Sequence, residues 1–287
     1  MRNPVFSRSD EFKTASVTPR GPVPYAQTSG AYGQYGPGYH DPSGAAQLNA
    51  MYAQPAAGPL QTGRITYDDV LVKSFSLFAV ILVGATVGWM IAPAHTNIIW
   101  LGCIVGLVLG LVNIFKREPS PALIILYGVF EGLAVGGISA IYERIWPGLV
   151  MQAVIASLSV MGVTLALFAS GKVRVSRRAN RILLVAMFGY LLFSLVNLVL
   201  MWTGVTGDVF GLRTEVKVLG VPLGVILGVL VVIMAAYSFV VDFDEIRNAV
   251  QNGAPAKVAW RCAFGLMVTL IWLYLEILRL LAILRNN

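Results

Sequence analysis

The stretch LGVPLGVILGVLVVIMAAYSFVV, at residues 219–241, is continuously apolar and holds no charged residue. An α-helix needs about 20 apolar residues to span the hydrocarbon core of a bilayer. Strands that cross a membrane alternate apolar and polar residues, so an uninterrupted apolar run favours a helix. This stretch therefore predicts a membrane-spanning α-helix.

Similar apolar runs recur from Tyr67 onward, separated by short polar segments. Only 12% of the residues are charged and 57% are hydrophobic, whereas soluble domains carry about 25% charged residues. The fold class predicted is an all-α membrane protein, a bundle of seven transmembrane helices. The seven spans are predicted at about 71–92, 97–115, 121–142, 148–170, 181–203, 219–241 and 258–284.

Residues 1–63 differ in composition from the rest of the chain. They hold 8 of the 14 prolines and 8 of the 29 glycines, and no helical periodicity survives so many breakers. We expect a disordered cytoplasmic tail over residues 1–63, followed by a transmembrane domain over residues 64–287. A binding role of this tail remains an alternative, because it carries five of the tyrosines, Tyr25, Tyr32, Tyr35, Tyr39 and Tyr52.

Basic residues are distributed unevenly between the two sides of the predicted bundle. Apart from the tail, twelve lysines and arginines fall on the side where the first span begins and five on the other. Cytoplasmic loops carry the excess of basic residues, so we expect the N-terminus inside the cell and the C-terminus outside, in the plasma membrane. Topology then accounts for the net charge of +7, and nucleic acid is not an expected partner.

Residue types that carry out catalysis are sparse and scattered. The two cysteines, Cys103 and Cys262, and the two histidines, His40 and His95, are isolated from one another in the sequence. This pattern offers no disulfide framework, no metal motif and no pair of nucleophile and base. We therefore expect neither an enzyme nor a cofactor.

Glycines recur at intervals of four residues in four of the predicted spans. Such spacing favours close packing of helices, because small residues let two backbones approach; a pore-lining face is the alternative. The glycines are Gly84/Gly88, Gly102/Gly106/Gly110, Gly128/Gly132/Gly136 and Gly220/Gly224/Gly228.

Glu131 is an acid near the middle of the third predicted span. It lies about ten residues into the span, hence roughly 15 Å deep, and within about 60° of the face that carries Gly128. Ionisable residues inside a membrane are costly and point to function. Glu131 is therefore a candidate proton or cation site, with a protonated, hydrogen-bonded structural group as the alternative.

Further acids lie at the end of the sixth span and within the seventh. Asp242, Asp244 and Glu245 follow the sixth apolar run, and Asp242, the innermost, is the candidate for an inward-facing site. Glu276 in the seventh span can pair with Arg279 at i+3. Alternatively, Glu276 faces the interior and shares a proton or a cation with a carboxylate of another span.

Three motifs in these regions resemble one known family, the Bax inhibitor-1/YccA (TMBIM) family of multi-pass membrane proteins. SPALIILYGVFEGLAVGGISAIY (Ser120–Tyr142) resembles its third-span signature, VDFDEI (Val241–Ile246) its sixth-span YDTQxI, and LYLEILRLL (Leu273–Leu281) its seventh-span LYLDIINLF. The resemblance covers about residues 65–287 and leaves the tail out.

The resemblance implies a bundle with the last helix at its centre and the function of a pH-sensitive calcium leak channel. It also implies that two acids, here Asp242 and Glu276, share a proton and gate the pore, with Lys116 or Arg117 as a basic latch. Helix geometry alone separates Asp242 and Glu276 by roughly 15 Å along the axis. Asp244 or Glu131 is therefore an alternative partner.

These features and the resemblance lead us to expect one of two functions, which belong to different classes. The first is a passive leak for cations, with calcium as the expected ion, gated by protonation of buried carboxylates. The alternative is an interaction protein in the lipid bilayer that uses its tail to modulate a membrane partner such as a protease. A membrane enzyme and a substrate-coupled transporter rank lower.

Overall fold

The computed structural model describes residues 63–208 and 210–286. Apart from Gly63, the predicted tail lies outside the described residues. Within these described residues, seven helices are long and apolar enough to cross a membrane, which confirms the predicted seven-helix membrane bundle. They are α1 Tyr67–Ile91, α2 Asn97–Phe115, α3 Pro121–Ile145, α4 Leu149–Ala169, α5 Arg177–Trp202, α6 Leu223–Gln251 and α7 Val258–Asn286.

Local sequence explains where several of these helices begin. Thr66 and Asp69 form a capping box at the start of α1, in which each side chain accepts a hydrogen bond from the other residue's backbone N–H at 3.1 Å. Such reciprocal bonds satisfy N–H groups that have no partner within the helix. Pro121 occupies the first turn of α3, where its missing N–H costs nothing.

The link between α5 and α6 is folded. It contains a helical turn at Leu212–Glu215 and a small antiparallel hairpin of β1, Lys217–Val218, and β2, Val221–Pro222. Gly220, at the tip of the hairpin, has a φ of 83°, a conformation that glycine adopts at little cost.

The sixth span differs at both ends from the predicted range 219–241. Residues 219–222 belong to the hairpin and its turn, and Pro222 precedes the first helical residue. At the other end α6 continues to Gln251, so Asp242 lies within the helix and not at its end. The prediction missed both ends because hydropathy measures apolar character and not backbone hydrogen bonding.

Glycines allow α1 and α2 to pack closely against α3. A Cβ placed on Gly84 would lie 2.7 Å from the carbonyl oxygen of Val129, and one on Gly102 would lie 2.8 Å from that of Phe130. Real Cβ atoms do not approach so closely, so these positions require glycine. The structure thus supports the packing interpretation for α1, α2 and α3. In the fourth series, Gly224 and Gly228 pack closely against α7, whereas Gly220 falls outside any helix.

The last helix lies at the centre of the bundle. α7 contacts α1, α3, α4 and α6, and most of its residues are buried. This confirms the central position that the resemblance implied. α5 is the opposite case, since Asn197 is the single buried residue among its 26 positions.

Candidate functional site

One group of charged side chains surrounds Glu276 on the central helix. The Glu276 side chain is 1% exposed. Its Oε2 lies 2.8 Å from Nη2 of Arg279 and accepts a hydrogen bond of 2.6 Å from the hydroxyl of Tyr190 on α5. Its Oε1 lies 3.7 Å from Nη1 of Arg213. We call these four residues the Glu276 cluster.

Arg213 reaches this cluster from the turn between α5 and α6. Its side chain is 4% exposed, and its Nη2 donates to the hydroxyls of Tyr190 and Ser194 at 3.1 and 3.0 Å. The guanidinium also lies 5.3 Å from the ring centroids of Tyr190 and Phe193, within the range of cation–π attraction. With Glu276 ionised, the two guanidinium groups give the cluster a net charge of +1.

The turn that carries Arg213 is held in place by α5 and by aromatic packing. The side chain of Asn197 accepts a bond of 2.8 Å from the backbone N–H of Leu212 and donates one of 3.3 Å to the carbonyl of Phe210. The ring of Phe210 stacks on that of Trp146 at the end of α3, with 6.2 Å between centroids. The α5–α6 link is thereby fixed against the end of the bundle.

A second group of charges lies around Asp242, between the C-terminal third of α6 and the N-terminal half of α7. Asp242 is 1% exposed, and its Oδ2 accepts a hydrogen bond of 2.7 Å from the hydroxyl of Thr269. Glu245 is 9% exposed and Arg261 is 3% exposed. Asp242 and Glu245 share one face of α6 at i, i+3, and the buried thiol of Cys262, next to Arg261 on α7, feels the charge of both acids. We call Asp242, Glu245 and Arg261 the Asp242 cluster.

The predicted latch residues meet this cluster through their backbone. Arg261 donates to the carbonyl oxygen of Lys116 at 3.2 Å and also to that of Arg117. The side chains of Lys116 and Arg117 are exposed. The buried basic group beside the loop between α2 and α3 is therefore Arg261, a residue that sequence analysis counted only toward the topology.

The structure keeps Asp242 and Glu276 in separate clusters. Thr269, which donates to Asp242, precedes Glu276 by seven residues on α7. At 1.5 Å per residue this is about 10 Å along the helix axis. The described contacts of Glu276 go to Tyr190, Arg213 and Arg279, so α7 carries two polar clusters one after the other.

Glu131 and Asp244 lie outside both clusters. Glu131 is half-buried and faces α2, since a Cβ placed on Gly106 would lie 2.6 Å from its Oε2. Within residues 63–208 and 210–286, Glu131 has no ion pair or hydrogen-bond partner for its carboxylate. Asp244 is partly exposed and accepts a bond of 3.1 Å from the side chain of Asn248.

The sequence signals for these clusters were of unequal strength. Acids within or next to the apolar spans pointed to Asp242 and Glu276, whereas Arg213 was only one of the five basic residues counted on the side opposite the start of the first span. Two polar residues within the fifth apolar run, Tyr190 and Asn197, were the available signal that something polar packs against that span. Among the described residues, no group of three or more His, Cys, Asp or Glu side chains is arranged to hold a metal ion.

A comparison with family profiles matches residues 3–286 to the family described as Bax inhibitor 1 like. A search of curated proteins found no match. The family match begins at residue 3, so it includes most of the segment that the motif resemblance left out. The seven apolar helices also make the protein an integral, multi-pass membrane protein. Because the match covers nearly the whole chain, the protein belongs to the Bax inhibitor 1 like family.

Proposed function

We propose that this protein is a pH-sensitive leak channel for cations, with calcium as the expected ion. The observation that carries the proposal is the pair of buried charged clusters along the central helix. Asp242 and Glu276 are each 1% exposed, and buried acids within spans are retained for ion or proton pathways. Membership of the Bax inhibitor 1 like family supports the same function.

The two clusters have opposite net charges, which suggests different roles. Two carboxylates and one guanidinium give the Asp242 cluster a net charge of −1 when both acids are ionised. The Glu276 cluster carries +1, so it repels a free cation and its carboxylate is held by arginines. We assign proton sensing to the Asp242 cluster. We assign to the Glu276 cluster the closing of the ion pathway farther along α7.

Protonation gives the Asp242 cluster a means of switching. In the ionised state, Asp242 and Glu245 attract Arg261, which also binds backbone carbonyls of the loop between α2 and α3. A proton on either acid weakens that attraction and lets Arg261 and the loop move. The leak should therefore rise as the pH falls.

We further infer that the protein resides in the plasma membrane with its N-terminus inside, its C-terminus outside and no enzymatic role. The unequal distribution of lysine and arginine supports this orientation. A reporter that is active only in the cytoplasm, fused to the C-terminus, should be silent. An active reporter would show that one of the seven helices does not cross.

Ion flux into liposomes that contain the purified full-length protein tests the proposed channel function. We expect calcium influx that rises between neutral and mildly acidic pH, with sodium and potassium as comparison ions. Asp242→Asn should change the pH profile, whereas Asp244→Asn, a partly exposed position on the same helix, should keep it. No flux for any ion would refute the channel and favour the interaction protein. Loss of flux on deleting residues 1–62 would contradict a pore formed by the helical domain alone.

A further inference from the structure

An apolar crevice of about 310 Å³ lies among α1, α3, α4 and α7. Residues that line it from α1 and α4, such as Leu82 and Leu158, are about half exposed, at 50% and 47%. Those from α7, such as Leu270 and Ile271, are each 7% exposed. The crevice thus has its rim on α1 and α4 and its floor on the central helix.

The crevice lies within the apolar spans and opens toward the surrounding bilayer. Its lining runs from Phe78 to Trp89 on α1 and from Val150 to Leu158 on α4, both inside helices that are apolar enough to cross a membrane. What can enter from the side at this depth is the hydrocarbon of the membrane.

The hydroxyl groups in the lining already have partners within the protein. Ser139 and Tyr274 share a hydrogen bond of 2.6 Å at the floor. Thr86 donates to the carbonyl of Leu82 at 2.9 Å, and Ser157 to that of Ala153 at 2.6 Å. Apart from the indole N–H of Trp89, the side chains of the lining therefore offer a polar ligand little to bind, and its groups would be desolvated without compensation. A hydrocarbon chain has no polar groups to satisfy.

We propose that the crevice binds one acyl chain of a membrane lipid. Its volume falls at the lower end of the range for ligand sites, about 300–1,000 Å³. An unfilled apolar space of this size forfeits dispersion contacts on every wall, and a chain from the adjoining leaflet restores them. The bound chain contacts α7 at Leu270, Ile271 and Tyr274, between Thr269 and Glu276 and hence between the two charged clusters. This binding does not depend on ion conduction.

Photolabelling from within the lipid tests the proposal. The full-length protein is placed in nanodiscs of phosphatidylcholine that contain a small fraction of phosphatidylcholine with a diazirine midway along one chain. After irradiation, mass spectrometry locates the labelled peptides. Met267, Leu270 and Ile271 are 4–7% exposed, so a carbene reaches them only from a chain inside the crevice. We expect label on this part of α7.

Two matched tryptophan variants on α4 give the decisive comparison. Val154 lines the crevice and Val163 does not, although both are exposed on the same helix, at 37% and 60%. Val154→Trp should lower the labelling of α7 about tenfold, equivalent to roughly 1.4 kcal/mol of binding, and Val163→Trp should leave it unchanged. Labelling of the exposed helix α5, at Phe188 and Leu192, serves as the internal reference.

Two results would overturn the proposal. One is label on α5 with none on α7, which means that chains do not enter the crevice and that something else covers it. The other is label on α7 that Val154→Trp leaves at the level of the parent protein, which means that the probe reaches α7 by another route.

Discussion

Arg213 and Glu276 form a buried ion pair, with 3.7 Å between Nη1 and Oε1, although Arg213 lies in the connection between α5 and α6. The side chain of Arg213 is 4% exposed and that of Glu276 is 1% exposed. Each is costly to bury alone and tolerable when paired and hydrogen-bonded. The connection is therefore part of the structure around the central helix.

Removing the arginine of this pair should destabilise the protein. Arg213→Gln takes away one of two cations beside Glu276 and leaves Arg279 in place. We therefore expect a loss of about 1–3 kcal/mol in the free energy of unfolding, the range for a buried polar group that loses a partner. Denaturant unfolding in detergent micelles measures it. Lys217→Gln, an exposed change on the same connection, is the control, and equal stability of the two variants would contradict the pairing.

Neutralising the acid should cost more than removing Arg213. Glu276→Gln leaves the guanidinium groups of Arg213 and Arg279 close together without a compensating charge. Breaking a buried pair in this way costs about 3–5 kcal/mol. The double variant Arg213→Gln/Glu276→Gln should be less destabilised than the sum of its parts, because one cation is removed with the anion. Additive effects on the free energy of unfolding would show that the two side chains do not interact.

Asn197 should control the mobility of the same connection. Asn197→Ala removes the acceptor for the N–H of Leu212 and the donor to Phe210. Leaving these groups unpaired should destabilise the connection by about 1–3 kcal/mol. Hydrogen exchange at Leu212 should accelerate accordingly, while exchange in α7 changes less. Asn248→Ala, an exposed position on α6, is the control and should leave exchange at Leu212 unchanged.

Sequence patterns predicted the bundle because hydropathy and helix length suffice to locate spans. The glycines of α1, α2 and α3 likewise predicted close packing, since only a missing side chain permits such approach. These features depend on residues that are near one another in the chain or on one helix face.

The Glu276 cluster could not be predicted from sequence patterns of this kind. It depends on Arg213 folding back from a connection that looks like any polar loop in the sequence. The separation of Asp242 from Glu276, by contrast, was expected from the sequence, because helix geometry alone places the two acids roughly 15 Å apart along the axis. The partners of each acid could not be predicted in this way, because they depend on three-dimensional packing and not on local pattern.

Close packing of α1 on α3 predicts an uneven tolerance of alanine. Gly84→Ala would bring a methyl group to 2.7 Å from the carbonyl oxygen of Val129, whereas a Cβ on Gly162 of α4 meets nothing within 4 Å. We expect Gly84→Ala to lower the free energy of unfolding by about 1–3 kcal/mol through overpacking. Gly162→Ala should be neutral or slightly stabilising, since alanine favours helix. Equal unfolding curves for the two variants would contradict so close an approach of α1 to α3.

The proposed proton switch makes a signed prediction for Asp242. Asparagine keeps the shape of a protonated aspartic acid and cannot take up a proton, so Asp242→Asn imitates the acidic state at every pH. It should leak more than the parent protein at neutral pH and respond less to acidification. Thr269→Val, which removes the hydroxyl that donates to Asp242, should shift the pH profile without abolishing it. Calcium flux into liposomes from pH 5 to pH 8 measures both, with Asp244→Asn as the control. A steep pH dependence retained by Asp242→Asn would transfer the proton-sensing role to another acid, with Glu245 the first to examine because it lies in the same cluster.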